Sequence, residues 1–318
     1  MEKTILVTGG AGFIGINFLL YMTEKYPSYR FICYDKLTYA ANTDMVEELS
    51  KLKNFIFIKG DICDERVVDE LFSKGRPDIV INFAAESHVD RSIEASDIFL
   101  KTNVLGVRVL LDACRKHGIK RFHQISTDEV YGEVPKGCDR ICDENSRLNP
   151  GSPYSVSKAS ADMLVMAYHR TYNLPVSISR SSNNYGKYQH KEKLIPCMIK
   201  KALSDEYMTL YGDGENIRDW LYVTDHCRAI DEIIHSGDVG EIYNISGDNP
   251  KRNIDIARLI CKILSKPEGL IMFTEDRKGH DFSYRTDCSK IKYKFGWKQT
   301  ACFDEKIAEI TRFYVEKM

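Results

Sequence analysis

The sequence predicts an α/β fold built on a doubly wound parallel sheet, with a smaller and irregular C-terminal lobe. Over residues 4–182, short apolar runs alternate with amphipathic stretches of helix length. The apolar runs are continuous, as expected for strands that are buried on both faces of a sheet. After about residue 183 the alternation stops, and polar loops and turn residues replace it.

The predicted elements follow one another regularly from the N-terminus. Strands are expected at residues 4–10, 31–36, 55–61, 79–85, 121–127 and 175–182, and helices at 13–25, 64–74, 97–117 and 154–172. Because strands and helices alternate, right-handed crossovers would place helices on both faces of a parallel sheet. We therefore expect residues 1–182 to form one domain, rejoined by about 219–240, and residues 183–318 to form mostly a second lobe.

The composition excludes several classes of protein. The chain has 318 residues, 43% of them hydrophobic, which is enough for a large core. A net charge of -1 gives no electrostatic reason to expect nucleic acid or a membrane surface as a partner. There is no membrane-length apolar run and no secretory signal at the N-terminus, so we expect a cytoplasmic protein. The ten dispersed cysteines fit a reducing compartment, and we expect no metal site, even at Cys138 and Cys142.

Three glycines follow the first predicted strand. Gly9, Gly12 and Gly15 form the pattern G-x-x-G-x-x-G at the turn into the first helix. Glycine permits a tight turn and lets the backbone approach a pyrophosphate, which the free N–H groups of the helix N-terminus then bind. The strand–turn–helix context makes the motif specific for a dinucleotide and predicts a Rossmann-type domain.

The ends of the next strands carry residues suited to the rest of a dinucleotide. Asp35 ends the second strand, where a carboxylate can accept hydrogen bonds from ribose hydroxyls and would repel a 2′-phosphate. This favours NAD over NADP; the alternative is a solvated acid at a strand end. Asp61 and Ile62 end the third strand, where the edge of an adenine could lie. The small residues of 82–85 end the fourth strand, where the backbone could lie close to the cofactor.

A tyrosine and a lysine lie four residues apart at the start of a predicted helix. Tyr154 and Lys158, in "PYSVSK", therefore share one helix face. An ammonium group and the positive nicotinamide ring would stabilise a phenolate, so Tyr154 could act as a base near neutral pH. Alone, this pattern is more often an ordinary core or surface pair than a catalytic one, but downstream of a dinucleotide motif it becomes specific.

The fifth strand ends in "STDEVYGE", with a hydroxyl beside two adjacent carboxyls. These are Thr127, Asp128 and Glu129, at a strand end that would face a ligand crevice. Alone, the two acids could be a solvated turn. Neighbouring residues of a strand point in opposite directions, so both carboxyls reach one ligand only if the pair lies on a turn.

Together these motifs resemble the extended short-chain dehydrogenase/reductase superfamily, and within it the dTDP-glucose 4,6-dehydratases. The matching stretches are "TGGAGFIG", "AAESHVDRSI", "STDEVYG", "PYSVSK", "SNNYG", "EKLIP" and "RDWLYVTDH". The resemblance runs from residue 4 to the end of the chain. It implies an NAD-dependent hydro-lyase of deoxysugar biosynthesis that forms a 4-keto-6-deoxy sugar nucleotide.

The resemblance also implies a role for each catalytic residue. Tyr154 takes the proton of the C4 hydroxyl, Thr127 binds the C4 oxygen, and Lys158 holds the nicotinamide ribose. Glu129 takes the C5 proton, and protonated Asp128 donates to the departing C6 hydroxyl. Elimination of water needs one base and one acid, which explains two carboxyls in different protonation states.

The resemblance further implies the contacts of cofactor and substrate. The expected NAD contacts are Gly9, Gly12, Phe13, Ile14, Gly15, Asp35, Lys36, Leu37, Thr38, Asp61, Ile62, Ala84, Ala85, Thr102, Tyr154 and Lys158. Arg218 and Arg277 are expected to hold the diphosphate by their planar, bidentate groups. The other expected substrate contacts are Ser87, Asn184, Lys193, Leu194, Tyr211 and Asn244.

One segment departs from the family. "GHDFSYR" carries Phe282 and Ser283 where relatives usually have two arginines. This leaves UDP-glucose and UDP-N-acetylglucosamine open as substrates beside dTDP-glucose. A sugar-nucleotide 4-epimerase or decarboxylase, and a non-catalytic NAD-binding protein, remain as alternative functions. The Thr-Asp-Glu run argues against an epimerase, and the complete set of five catalytic residues argues against a binding protein.

The long predicted helices 97–117 and 154–172 carry more apolar residues than one face of a sheet can cover. We expect their outer faces to form a twofold four-helix interface in a homodimer. The apolar residues are Ile98, Leu100, Val104, Leu105, Val109 and Leu110 in the first helix and Met163, Leu164, Val165, Met166 and Tyr168 in the second.

Overall fold

A computed structural model describes residues 3–317 of the chain. The strands are β1 (Thr4–Thr8), β2 (Arg30–Asp35), β3 (Phe55–Lys59), β4 (Ile79–Asn82), β5 (Arg121–Thr127), β6 (Val176–Ser181), β7 (Asn183–Tyr185), β8 (Met208–Tyr211), β9 (Ile217–Tyr222), β10 (Glu241–Ile245), β11 (Pro250–Arg252) and β12 (Ile271–Thr274). The helices are α1 (Phe13–Lys25), α2 (Thr43–Leu49), α3 (Glu65–Gly75), α4 (Val89–Glu94), α5 (Ser96–Leu100), α6 (Val107–His117), α7 (Pro153–Tyr172), α8 (Leu194–Leu203), α9 (Val223–Ser236), α10 (Asn253–Leu264), α11 (Ser289–Phe295) and α12 (Phe303–Lys317).

Within the described residues, seven strands form one parallel sheet in the order β10-β6-β5-β4-β1-β2-β3. The chain moves in one direction along the sheet from β1 to β3 and in the other from β4 to β6. The order therefore reverses between β1 and β4, and the carboxyl ends of these strands border a crevice. This confirms the predicted α/β fold with a doubly wound, Rossmann-type parallel sheet.

The sheet is buried on both faces by separate apolar clusters. Leu6, Val80 and Phe122 pack on the face covered by α3, α6 and α7. Ile5 and Val7 pack on the opposite face, with residues of α1, α2 and α9. Because successive side chains of a strand alternate between faces, a continuous apolar run supplies both clusters.

The C-terminal part has its own core and also returns to the large sheet. Trp220, Ile254 and Phe303 belong to a third apolar cluster, formed with α8, α10 and α12 beside two small sheets. Helix α9 packs through Cys227 and Ile230 on the second cluster, and β10 pairs with β6. The sequence prediction had no strand for β10, because this short run follows the loss of the regular alternation. The division of the chain at residue 182 stays a prediction.

The long helix expected at 97–117 contains an irregular turn. Residues Lys101–Gly106, between α5 and α6, form a π-helical segment. In this segment the Asn103 side chain accepts from the N–H of Glu86 (2.8 Å) and donates to the Glu86 carbonyl (3.0 Å) and to the Ser157 hydroxyl (2.8 Å).

Helix α2 was also not predicted. No helix among residues 3–317 is both long and apolar enough to cross a bilayer.

Candidate active site

A cavity of about 650 Å³ opens at the carboxyl ends of the central strands. All five predicted catalytic residues line it. Among the residues that the structure describes, every predicted NAD contact except Leu37 and every predicted substrate contact except Asn244 also lines it. The three sets of residues, predicted from separate motifs, therefore share one cavity.

The glycine turn allows the segment that follows strand β4 to pass very close to it. Gly9 has a φ of +67°, and a Cβ atom there would lie 2.4 Å from the Ala84 nitrogen. A Cβ atom at Gly15 would lie 2.4 Å from the Gly9 carbonyl oxygen. Helix α1 begins next, and its Gly12 cap has no side chain to bind the free N–H groups. These groups are left to bind an anion, as the pyrophosphate of NAD requires.

Asp35 ends β2 beside this turn. Its carboxylate accepts hydrogen bonds from the N–H groups of Ala11 (3.0 Å) and Leu37 (2.8 Å), which fix its position. Burial raises the pKa of Asp35, and these backbone donors act in the opposite direction. Each carboxylate oxygen has a second lone pair, so the group can still accept from a ribose hydroxyl.

The structure places two predicted contacts elsewhere. Leu37 packs with the apolar cluster of α1 and has a φ of 57°. Asn244 is fully buried in β10, where its amide donates to the carbonyls of Cys142 and Asp287 (both 3.2 Å). The family motif gave their order along the chain, but β10 had not been predicted as a sheet strand, so the burial of Asn244 could not be foreseen.

Helix α7 presents Tyr154 and Lys158 to the cavity. Ser152 caps the helix in a capping box with Ser155, and Pro153 occupies its first turn. The Lys158 ammonium donates to the carbonyl of Ile125 at 2.6 Å, which ties it to the end of β5. Burial lowers the pKa of Lys158 to about 8, although the carboxylate of Asp162 acts in the opposite direction.

Tyr154 is buried, and this opposes its role as a base. Burial raises the pKa of its phenol, and the negative charge of Glu129 raises it further, whereas the Thr127 hydroxyl acts in the opposite direction. Positive charge must therefore come from Lys158 and from the nicotinamide ring of bound NAD before a phenolate is favourable.

Asp128 and Glu129 lie on a 3-10 turn, Asp128–Tyr131, that directly follows β5. The turn brings both carboxyls to the cavity, as two carboxyls acting on one sugar require. Burial and the neighbouring charges of Glu129 and Asp219 raise the pKa of Asp128 well above its usual range. This shift favours the protonated form of Asp128, the form that a general acid needs.

Glu129 has a different set of neighbours. Burial raises its pKa too, but the positive charges of Arg218, Lys193 and Arg277 act in the opposite direction. More positive charge therefore surrounds Glu129 than Asp128, which favours an ionised Glu129 beside a protonated Asp128.

Two of these cations, Arg218 and Arg277, are held in place by hydrogen bonds. The Arg218 guanidinium donates to the carbonyls of Ile217 (2.8 Å) and Asp281 (3.0 Å), which hold it in place. The Arg277 guanidinium bonds to the Asp90 carboxylate at 3.0 Å. Both guanidinium groups line the cavity, where they can meet a diphosphate.

Several cavity residues were missed by the sequence analysis. Tyr284 lines the cavity, and its hydroxyl donates to the Asp281 carboxylate at 2.5 Å. Its position directly after the divergent residues of "GHDFSYR" could have drawn attention to it. His88 and Glu192 also line the cavity and lie within the quoted motifs "AAESHVDRSI" and "EKLIP", but they were not among the residues selected from these motifs.

The two divergent residues lie outside this lining. Among the described residues that line the cavity are His280 and Tyr284, but neither Phe282 nor Ser283. The Ser283 hydroxyl is buried and donates to the Val134 carbonyl (2.8 Å), and the Phe282 N–H donates to the Glu133 carboxylate (2.8 Å). The departure from the family therefore changes a loop contact rather than the cavity wall.

Unsatisfied polar atoms indicate that the cavity is built for a polar ligand. Several buried atoms that have no hydrogen-bond partner within residues 3–317 belong to cavity residues, among them Asn183 Oδ1, Trp220 Nε1 and Arg277 Nε. Such atoms cost free energy unless a ligand or water satisfies them. The glycine turn, the placed Asp35 carboxylate and these atoms all fit NAD and a nucleotide sugar.

Comparison with known proteins agrees with this arrangement. Residues 6–310 match the family model described as GDP-mannose 4,6 dehydratase. The chain is 44% identical to the dTDP-glucose 4,6-dehydratase of Haemophilus influenzae, covering 98% of this chain and 97% of that protein.

Solved structures give the same result. The dTDP-glucose 4,6-dehydratase of Bacillus anthracis in complex with NAD is similar, with a TM-score of 0.92 and 43% identity over 99% of this chain and 97% of that one. The DesIV dTDP-glucose 4,6-dehydratase of Streptomyces venezuelae, crystallised with NAD and a second ligand, has a TM-score of 0.94. Its sequence is 40% identical, and the match covers 98% of this chain and 97% of that one. A UDP-glucose 4-epimerase of Thermus thermophilus in complex with NAD shares the fold, with a TM-score of 0.90 and 27% identity. The match covers 99% of this chain and 100% of that one.

Proposed function

Since the chain belongs to the nucleotide-sugar 4,6-dehydratase family that the matching family model represents, we propose that it converts dTDP-glucose to dTDP-4-keto-6-deoxyglucose with NAD as its cofactor. The main structural support for this proposal is the 128–131 turn. It brings two carboxyls of different proton affinity into the same cavity as Tyr154, Lys158 and the glycine turn. A 4-epimerase has no use for this acid–base pair, because it does not eliminate water.

The first half of the reaction uses helix α7 and the end of β5. Bound NAD would supply the hydride acceptor for C4 of the sugar and, once reduced, the hydride donor for C6. Tyr154 removes the proton of the C4 hydroxyl, and Thr127 hydrogen-bonds the C4 oxygen. Lys158, fixed on the Ile125 carbonyl, lies one helical turn from Tyr154 and supplies positive charge that favours its phenolate.

The second half uses the two carboxyls of the turn. Once C4 is a ketone, the C5 proton is acidic, and ionised Glu129 removes it; a proton is restored to C5 when hydride is added to C6. Asp128, which keeps its proton because of burial and its acidic neighbours, donates to the leaving C6 hydroxyl. Water therefore leaves without a strongly basic hydroxide forming in a dry cavity.

The remaining predicted contacts hold the nucleotide. Arg218 and Arg277 bind the diphosphate, while Tyr211 lies at the same end of the cavity and can stack on the base. Ser87, Asn184, Lys193 and Leu194 line the same cavity. Asp35 and the glycine turn bind the adenosine half of NAD.

We also propose a cytoplasmic homodimer. Leu110 and Val165 are fully buried in the sheet core, whereas Leu105 and Met163 are 55% and 58% exposed. The two long helices thus present apolar residues that the sheet does not cover, as a four-helix interface needs. Within the described chain all ten cysteines are free thiols, which suits a reducing compartment.

The test is a panel of nucleotide sugars. We expect the purified protein, mixed with dTDP-glucose, to give a product lighter by one water molecule in mass spectrometry. UDP-glucose and UDP-N-acetylglucosamine should react more slowly. An unchanged mass together with a new C4 epimer would contradict the proposal and favour an epimerase.

A further inference from the structure

Tyr131, the last residue of the 128–131 turn, is held by two buried partners. Its hydroxyl donates to the Asn244 amide oxygen (2.8 Å) and accepts from the Arg180 guanidinium (2.9 Å). The guanidinium carbon also lies 5.0 Å from the centre of the Tyr131 ring. Tyr131 is 1% exposed, so water does not compete for these contacts. The end of the acid–base turn is therefore fixed by specific side-chain bonds.

Arg180 connects this turn to helix α7. Its Nε donates to the Asp162 carboxylate at 2.8 Å, and both side chains are buried. Asp162 lies one helical turn after Lys158 on the same helix. A buried chain of side chains, from Asp162 through Arg180 and Tyr131 to Asn244, thus links the helix used for oxidation with the turn used for elimination.

Stability alone does not account for this chain. Removing two charges from water costs several kcal/mol per ion, and apolar replacements for buried ion pairs are often neutral or stabilising. A four-residue 3-10 turn, in contrast, has poor backbone hydrogen-bond geometry and gains from an external anchor. The one guanidinium that reaches both Asp162 and Tyr131 provides this anchor, because its planar fork can donate in two directions.

We propose that Arg180 and Tyr131 are positioning residues for the elimination half of the reaction proposed above, on which this inference rests. They hold Asp128 and Glu129 at the correct place relative to Tyr154 and Lys158. One sugar, oxidised at C4 against α7, can then meet the acid and the base of the turn without moving. An error of about 1 Å in such placement can cost about 100-fold in rate.

Tyr131→Phe tests this, because it keeps the ring and removes only the hydroxyl. In single-turnover experiments with NAD and dTDP-glucose, bound NADH should form at close to the parent rate. Its reoxidation should be about 10- to 100-fold slower, so NADH absorbance should persist. The matched control is Tyr243→Phe, which removes another buried hydroxyl, one that accepts from the Asp238 N–H (3.0 Å). This control should behave as the parent in both steps.

Arg180→Lys is the second variant, and it covers the case in which Tyr131→Phe does not fold. Lysine keeps the charge beside Asp162 but cannot also donate in a fixed fork to Tyr131. We expect the same selective loss of the elimination step. Parent-like reoxidation in both variants, or equal slowing of both steps, would overturn the inference. A parent protein that releases no water from any nucleotide sugar would instead refute the proposed function, and the inference with it.

Discussion

Asp128 and Glu129 are adjacent acids, and we attribute the proposed difference in their functions to their neighbours. The charges of Glu129 and Asp219 raise the pKa of Asp128 and Arg218 is the only charge that opposes them, whereas Arg218, Lys193 and Arg277 all lower the pKa of Glu129 against burial. We expect this difference to appear as two separable defects. Asp128→Asn and Glu129→Gln should both oxidise C4 but accumulate bound NADH, with product formation slower by about 100- to 10,000-fold. Tyr154→Phe should form little NADH.

Exchange of the C5 proton separates the two acids. In deuterated solvent, Glu129→Gln should fail to exchange C5, because that proton is its target. Asp128→Asn should still exchange C5 while retaining the C6 hydroxyl, if elimination is stepwise. NMR of the recovered sugar nucleotide measures both. Near-parent turnover by Glu129→Gln would show that the base has been assigned wrongly.

The same pair predicts the pH dependence of elimination. Glu129 must be ionised, and its pKa is raised from 4.5, so NADH reoxidation should fall as the pH drops towards that raised pKa. Asp128 must be protonated, so the rate should also fall as the pH rises through the much-raised pKa of Asp128. The measurement is the single-turnover rate over a pH series. In Asp128→Asn the fall in rate at high pH should disappear. If this variant still shows that fall, another group causes it.

We expect the choice between NAD and NADP to depend on the carboxylate of Asp35. Asp35→Ala should bind NAD about 10- to 100-fold more weakly, because hydrogen bonds to a charged group contribute about 1.5–3 kcal/mol. Calorimetric titration measures this, with exposed Asp44 changed to Ala as the control. The parent should discriminate strongly against NADP, and equal affinity for both cofactors would be inconsistent with the assigned ribose contact.

The sequence predicted which residues form this site, but it did not predict the environments of those residues. Three motifs could be recognised from the sequence, because the geometry of each depends only on residues within one turn or at one strand end. They are the glycine spacing, Asp35 and the Tyr-x-x-x-Lys pattern. The proton affinities of Asp128 and Glu129 could not be predicted in this way. They depend on Arg218 and Arg277, which are distant in the chain and come together only through the C-terminal lobe.

At the scale of elements, the start of α7 positions both Tyr154 and Lys158. The Ser152 hydroxyl accepts from the Ser155 N–H at 3.1 Å and so satisfies a free donor of the first turn. Ser152→Ala should lower the free energy of unfolding by about 1 kcal/mol. Thermal and urea denaturation measure it. Ser160→Ala, in the interior of the same helix, is the control and should leave stability unchanged or raise it, since alanine is the better helix former.

Elements with a strong local pattern were predicted well, and those that depend on the rest of the fold were not. Strands β1 to β6 and helix α7 agree with their predicted positions within a few residues. Strand β10 is a five-residue run in an irregular region, and only its pairing with β6 makes it part of the large sheet. That Leu37 and Asn244 lie outside the cavity lining could not be foreseen either, since packing decides which way a side chain faces.

At the scale of the whole molecule, the uncovered helix faces predict assembly. Leu105→Asp and Met163→Asp should each shift the protein from dimer towards monomer, because a charge at the centre of an apolar interface must lose its water. Light scattering at micromolar concentration measures the mass. Phe273→Asp, at an exposed position in β12, is the control and should remain dimeric. A monomeric parent would rule out the interface.

The π-helical segment at 101–106 limits how this chain can change in length. Losing one residue there would let α5 and α6 join as a regular helix, but it would rotate one part against the other by about 100°. The fully buried Leu110 would keep its place in the core, because many contacts hold it. Asn103 would then turn away from Glu86 and release that part of the cavity wall. Insertions and deletions should therefore be tolerated in the surface loops. Between Glu86 and Leu110 they should not be, because a change in the number of residues there would alter the wall of the cavity.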